Sequence, residues 1–199
     1  MNTATQLDRE RDPTVAQWRV ITAALKLFAE HGVGGTSLRM IAAELGVTVA
    51  AVYHQYHAKD ELIFAAVESQ LRRLEEVVEN AEAEPTARRA REALINGIVE
   101  LTIGVGGSMT AVLNDPAVTG SFRRHAGYRD LLRRTRLVLM GEGATKEAQV
   151  RTATLLAALN GTATHPLVAH LDQATLRSEL LNLAHRLMPP SPSRRVHRS

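Results

Sequence analysis

The sequence predicts an all-α protein of about nine helices, and three features carry that prediction. Apolar residues recur at spacings of three and four along most of the chain, the period of a helix with one buried face. No stretch alternates apolar and polar residues as a half-buried strand would, and there are no internal repeats. Gly, Pro and the capping residues Thr, Ser and Asp divide the periodic stretches into helix-sized pieces.

At 199 residues the chain has length for one large domain or two small ones, with a sizeable buried core. Cysteine is absent, which excludes disulfides, thiol catalysis and Cys-based zinc sites and fits a reducing compartment. The N-terminal MNTATQLDRERDPT has alternating charges and lacks the apolar centre of a signal peptide. No apolar run approaches the roughly 20 residues of a membrane span. The longest weakly polar stretch, Leu101 to Leu113, is too short and holds three glycines. A cytoplasmic protein with no membrane partner is therefore expected. The net charge is only +3, and residues 1–60 carry six basic and six acidic side chains. Charge-driven, nonspecific binding of nucleic acid is not what this balance predicts.

Residues 1–14 show no periodicity and read as a mobile arm. A first helix, about Thr14 to His31, places Trp18, Ile21, Leu25 and Phe28 on one stripe, with Trp18 expected in the core; His31-Gly32 ends it. Thr36 to Lys59 (TSLRMIAAELGVTVAAVYHQYHAK) reads as two short helices around a tight turn. Thr36 or Ser37 caps the first, whose apolar face is Leu38, Ile41, Ala42 and Leu45. Gly46 suits the left-handed residue that ends it, and Thr48 caps a second helix from Val49 to about Tyr56. Two helices joined in this way form a helix-turn-helix, whose second helix can enter a DNA major groove. The composition of that second helix supports the reading. Val49, Ala50 and Ala51 are small enough to let the backbone approach bases, and Tyr53 to His57 carry polar or aromatic tips able to reach phosphates.

A long helix from Lys59 to about Asn80 follows, with Asp60 and Glu61 in its first turn and Phe64, Val67, Leu71, Leu74 and Val78 on its apolar face. Further helices are expected from Pro85-Thr86 to about Ile103, from Ser108 to Asn114 and from about Val118 to Met140. Another begins at Thr145, bears Leu155, Leu156 and Leu159, and is interrupted by Asn160-Gly161. The last, Asp172 to Met188, carries Leu176, Leu180, Leu183 and Leu187. Pro189 stops it, leaving 189–199 as a disordered tail.

The segment ITAALKLFAEHGVGGTSLRMIAAELGVTVAAVYHQYHAKDELIFAAV resembles the DNA-binding domain of the TetR family of bacterial repressors. The shared features are Ala24, Leu27-Phe28 and Gly32, the Thr36-Ser37 opening, Ile41-Ala42, Leu45-Gly46-Val47, Val52-Tyr53, Lys59 and Leu62, within about residues 15–67. Beyond that the resemblance is one of architecture. It implies a three-helix head over 15–60, with the motif at about 37–56, and a ligand-binding and dimerisation domain over 61–188. It further implies that Arg39 reaches a base, that Val49, Ala50 and Ala51 lead the recognition helix, and that Tyr53, His54, Gln55 and Lys59 contact phosphates. Ser37 and Thr48 would cap helices whose N-termini face phosphates. Relatives often carry Lys-Gly or another polar residue where this chain has Val49-Ala50.

The same resemblance implies a homodimer on double-stranded operator DNA with an inverted repeat, closed by the last two helices through Leu155, Leu159, Leu176, Leu180, Leu183 and Leu187. Packing of those leucines within one subunit is the alternative. A small-molecule effector would bind between about Phe64 and Met140, with Phe122, His125 and Tyr128 as candidate contacts. Aromatics are scarce there, so an aliphatic or mixed ligand is expected. No cofactor, metal set or catalytic constellation is evident: the chain has no Walker loop, HExxH, GxSxG or GxGxxG. His54 and His57 share a helix but lack a third ligand. A repressor released by an effector is the expected function. The rivals are a helical ligand binder whose head no longer reads DNA and, behind it, an enzyme built in the C-terminal cavity.

Overall fold

The computed structural model describes residues 13–104, 126–163 and 165–188. Among these it has eight α-helices, one 3-10 turn and no strand. The helices are α1 (Val15–Gly35), α2 (Leu38–Leu45), α3 (Val49–Gln55), α4 (Lys59–Glu82), α5 (Ala87–Gly104), α6 (Ala126–Met140), α7 (Lys146–Thr162) and α8 (Gln173–Leu187), with the 3-10 turn at Pro166–Val168. Residues 1–12 of the expected arm, the helix at Ser108–Asn114, the stretch from Val118 to His125 and the tail at 189–199 lie outside the described residues, while Thr14, expected in the arm, caps α1.

Helix starts follow from local chemistry. Thr14 and Gln17 form a reciprocal capping box, with Gln17 N–H donating to Thr14 Oγ1 at 3.2 Å and Thr14 N–H donating to Gln17 Oε1 at 2.9 Å. Thr145 accepts from Ala148 N–H and Asp172 from Thr175 N–H, each satisfying a backbone donor that the helix leaves unpaired. Two expected ends differ. Gly32, at φ 72° and ψ 162°, kinks α1 instead of ending it, because Val33 is buried beyond the kink and draws the chain back into a helical turn. Helix α7 continues through 160–161 to Thr162, since one glycine costs a helix only about 1 kcal/mol and buried Leu155 and Leu159 hold the segment down.

The helices enclose two apolar cores. The first joins α1, α2, α3 and the start of α4 around Ile21, Phe28, Ile41, Val52, Tyr56, Leu62, Ala66 and Val67. The second joins the far end of α4 to α5, α6, α7 and α8 around Val78, Leu94, Val99, Leu139, Leu155, Leu159 and Leu180. Leu71 packs against both. The inward face of α4 is thus Leu62, Ala66, Val67, Ser69, Gln70, Val78 and Ala81. Phe64, expected inside, is 55% exposed, and Trp18 is 37% exposed at the start of α1, beyond the edge of the first core. Helix α6 is tied to α4 by Arg134, whose guanidinium lies 2.6 Å from Glu82 and 3.7 Å from Glu75. Near its start, Tyr128 packs against the first core.

Candidate nucleic-acid interface

The turn between α2 and α3 is built from two backbone hydrogen bonds and a glycine. Gly46 sits at φ 65°, ψ 32°, where a side chain would be strained. Its N–H donates to Ala43 O at 3.1 Å while Val47 N–H donates to Ala42 O at 3.0 Å, the paired pattern of a Schellman cap. Ser37 accepts from Met40 N–H at 3.3 Å and Thr48 from Ala51 N–H at 3.2 Å. Of the two residues able to cap α2, Ser37 does so. Thr36 is buried instead, its hydroxyl shared between Gly32 O at 2.9 Å and Leu27 O at 3.1 Å, which pins the kinked end of α1 to the motif.

Helix α3 is anchored by one side and open on the other. Val52 and the following Tyr56 are 1% and 4% exposed, in contact with the first core. Ala50, Ala51, Tyr53, His54 and His57 are exposed, while Val49 and Gln55 are half-buried. Val49 packs partly against the core, so Ala50 and Ala51 present the smoother surface of the leading turn. Tyr56 does not join the exposed tips. Its burial, reinforced by the Glu61 carboxylate, pushes the phenol above its ordinary ionisation range. Glu61 itself accepts from His57 N–H at 2.8 Å, closing the α3–α4 corner.

Arg39 is exposed on α2 and makes no ion pair or hydrogen bond among the described residues. Lys59, half-buried at the start of α4, donates to Gly34 O at 3.4 Å. Lys26 is engaged with Glu44 at 2.7 Å, a tie between α1 and α2 whose hydrogen bond and charge hold the ammonium pKa above its usual value. Nothing in the spacing of Lys26 and Glu44 marks them as partners, 18 residues apart.

The other candidate residues distribute differently. Leu155, Leu159, Leu176 and Leu180 are 0–9% exposed and belong to the chain's own second core, so they are covered before any second copy arrives. Ala184 takes the inward position that a continuous ladder would have assigned to Leu183, which is 37% exposed; Leu187 is half-buried. A shallow groove of about 250 Å³ lies between the 3-10 turn and α8, with Leu183 on its wall. Tyr128 is half-buried against the first core, while Phe122 and His125 lie outside the described residues. No group of three His, Cys, Asp or Glu side chains among the described residues is placed to hold a metal.

Residues 20–66 match the family model of bacterial regulatory proteins, tetR family. Among curated proteins the chain has no significant match. A TetR-like transcriptional regulator from Rhodococcus sp. RHA1 superposes with a TM-score of 0.65 at 22% identity, covering 88% of this chain and 97% of that one. The TetR family transcriptional regulator PfmR from Thermus thermophilus gives 0.60 at 20% identity, covering 84% and 97%. AibR, solved in complex with isovaleryl coenzyme A and operator DNA, gives 0.62 at 16% identity, covering 88% and 99%. The matched segment is the helix-turn-helix itself, so residues 20–66 carry the DNA-binding domain of the TetR family of bacterial regulatory proteins, and the remaining helices follow the fold of TetR-like regulators.

Proposed function

We propose that this DNA-binding regulator is a dimeric repressor that sits on an inverted-repeat operator in the bacterial cytoplasm and is released by a small-molecule effector. The observation that carries the reading is helix α3, held by Val52 and Tyr56 with Ala50, Ala51, Tyr53 and His54 left exposed. A helix packed only for stability would not leave those tips facing water beside an unengaged Arg39. We assign base contact to Arg39, Val49, Ala50 and Ala51, and phosphate contact to Tyr53, His54, Gln55 and Lys59, with Ser37 and Thr48 capping the helices that approach the backbone. Residues 15–60 would read DNA and 61–188 would bind effector and partner. AibR, captured with both an acyl coenzyme A and operator DNA, supports this division of labour by analogy of fold. The neutral head favours groove-specific docking with few phosphate contacts. Together with Val49, where relatives often carry a polar residue, it also favours a ligand binder without DNA specificity.

The test is a selection from randomised half-sites with the wild type, Arg39→Ala and Lys59→Ala. Arginine pairs bidentately with guanine O6 and N7, whereas alanine and valine can contact only thymine methyls. Each half-site should therefore contain a guanine near thymines. Arg39→Ala should cost about 1–3 kcal/mol and relax preference at that guanine. Lys59→Ala should weaken all sequences alike and lower the salt slope by roughly one charge. No selection by the wild-type chain would favour the ligand-binder reading.

A further inference from the structure

The groove of about 250 Å³ beside α8 is lined by Glu179, Asn182, Leu183 and Arg186 of that helix and by Val168 and Leu171 of the segment before it. Glu179, Leu183 and Arg186 follow one another at spacings of four and three, so they form a single stripe along the helix. All three are exposed, with Leu183 between the two charges. The stripe runs beside the inward face of Leu176, Leu180 and Ala184, which the second core already occupies.

The side chains of Glu179 and Arg186 make no ion pair or hydrogen bond among the described residues, whereas Arg177 on the same helix is engaged by Glu100 of α5. They are also the only charged residues among those described that line the groove. Seven positions separate them, about 10 Å of helix, and their midpoint falls between Asn182 and Leu183. That spacing is self-complementary. Two copies of α8 that meet antiparallel about a two-fold axis at the midpoint set each Glu179 opposite the partner's Arg186. The two Leu183 side chains then flank the axis, inside the pair of ion contacts. A parallel arrangement would instead set Glu179 against Glu179 and Arg186 against Arg186. Sliding the axis along the helix to either charge would also bring two like charges together.

We infer that the dimer closes with its two-fold axis crossing α8 between Asn182 and Leu183, and that the exchanged Glu179–Arg186 ion pairs on either side make each subunit select a second copy of this chain. This rests on the reading of the protein as a dimer and adds to it the axis, the register and the basis of self-recognition. Exposed ion pairs contribute little affinity singly, whereas a mismatch opposes like charges on both sides of the axis. Their weight therefore falls on the choice of register and partner.

The test is sedimentation velocity on the full chain, Glu179→Arg, Arg186→Glu and the double reversal, at about 0.1 M salt, where facing charges remain coupled. Each single reversal should raise the dimer Kd at least about tenfold, because symmetry makes every substitution act twice. The double reversal should return the Kd to within about threefold of wild type. An equimolar mixture of the two single variants should do the same, since every facing pair in that heterodimer is again of opposite sign. At about 1 M salt the differences should shrink. If one single variant does not fold, the other and the double reversal still decide the matter. Single variants that dimerise as tightly as wild type, or a mixture no tighter than its components, would overturn the register while leaving the dimer standing. A wild-type chain that stays monomeric at every concentration would refute the dimeric reading itself.

Discussion

Between Tyr53 and His57 the sequence offers five polar-tipped side chains in a row, and the fold separates them by helical phase. Tyr56 turns inward, where burial and then Glu61 raise the pKa of its phenol. An unfolded tyrosine ionises near pH 10, whereas the folded head keeps this proton to higher pH. Its contribution to stability is therefore intact below about pH 10 and is lost as the pH climbs through the folded pKa. Tyr56→Phe should consequently flatten the fall of Tm above about pH 10. Parallel Tm profiles for variant and wild type would show that the phenol is not held neutral. At this scale the motif residues could be read from sequence because caps and turns are local. Ser37, Gly46 and Thr48 each act on a backbone group within a few residues. The Lys26–Glu44 tie could not, because it depends on how α1 crosses α2.

Among the helices, starts were more legible than faces. Thr14, Thr145 and Asp172 mark helix starts through their own hydrogen bonds. Which side of a helix is covered depends on its neighbours, and here periodicity misplaced Trp18 and Phe64 by letting size stand for depth. The crossing of α4 and α5 is a further case, carried by a residue with no side chain. A Cβ built on Gly97 would lie 2.3 Å from Val77 Cγ1 and 3.2 Å from Val77 Cβ, so the two helices approach as closely as glycine permits. Gly97→Ala gains up to about 1 kcal/mol in helix propensity but should lose about 1–3 kcal/mol to overpacking, for a net destabilisation. Val77→Ala in the same chain should relieve the clash, giving a favourable coupling in a urea double-mutant cycle. A Gly97→Ala protein more stable than wild type would mean that the helices move apart freely.

For the whole molecule, the helical class of the described residues was evident from spacing and punctuation, while the reading head at the N-terminus was marked by the composition of its second helix and by the resemblance to TetR-family heads. What covers each apolar stripe was not, because a repeat of leucines has the same pattern whether its partner is the same subunit or another. In the leucine ladder of α8, Leu176 and Leu180 are spent on the chain's own core, while Leu183 remains at the surface. Leu183→Glu should therefore weaken self-association in sedimentation velocity while leaving the helical circular dichroism spectrum intact. Leu180→Glu should instead unfold the body, since it places an unpaired charge in a buried site. A dimer that persists in Leu183→Glu would locate the contact on another surface.

Helix α4 lends Leu62, Ala66 and Val67 to one core and Val78 and Ala81 to the other. That sharing limits how the gene can be recombined. A chimera spliced in the loop before Lys59 would hand the reading head a foreign set of its own core residues, and a borrowed head would then have to repack before it could present α3. The interchangeable cassette ends inside the helix, past Leu71, where a crossover leaves each hydrophobic cluster with its native complement. Exchanges of DNA specificity among relatives should succeed when the junction falls within α4 at about Leu71–Leu74 and fail when it falls at the apparent boundary between helices.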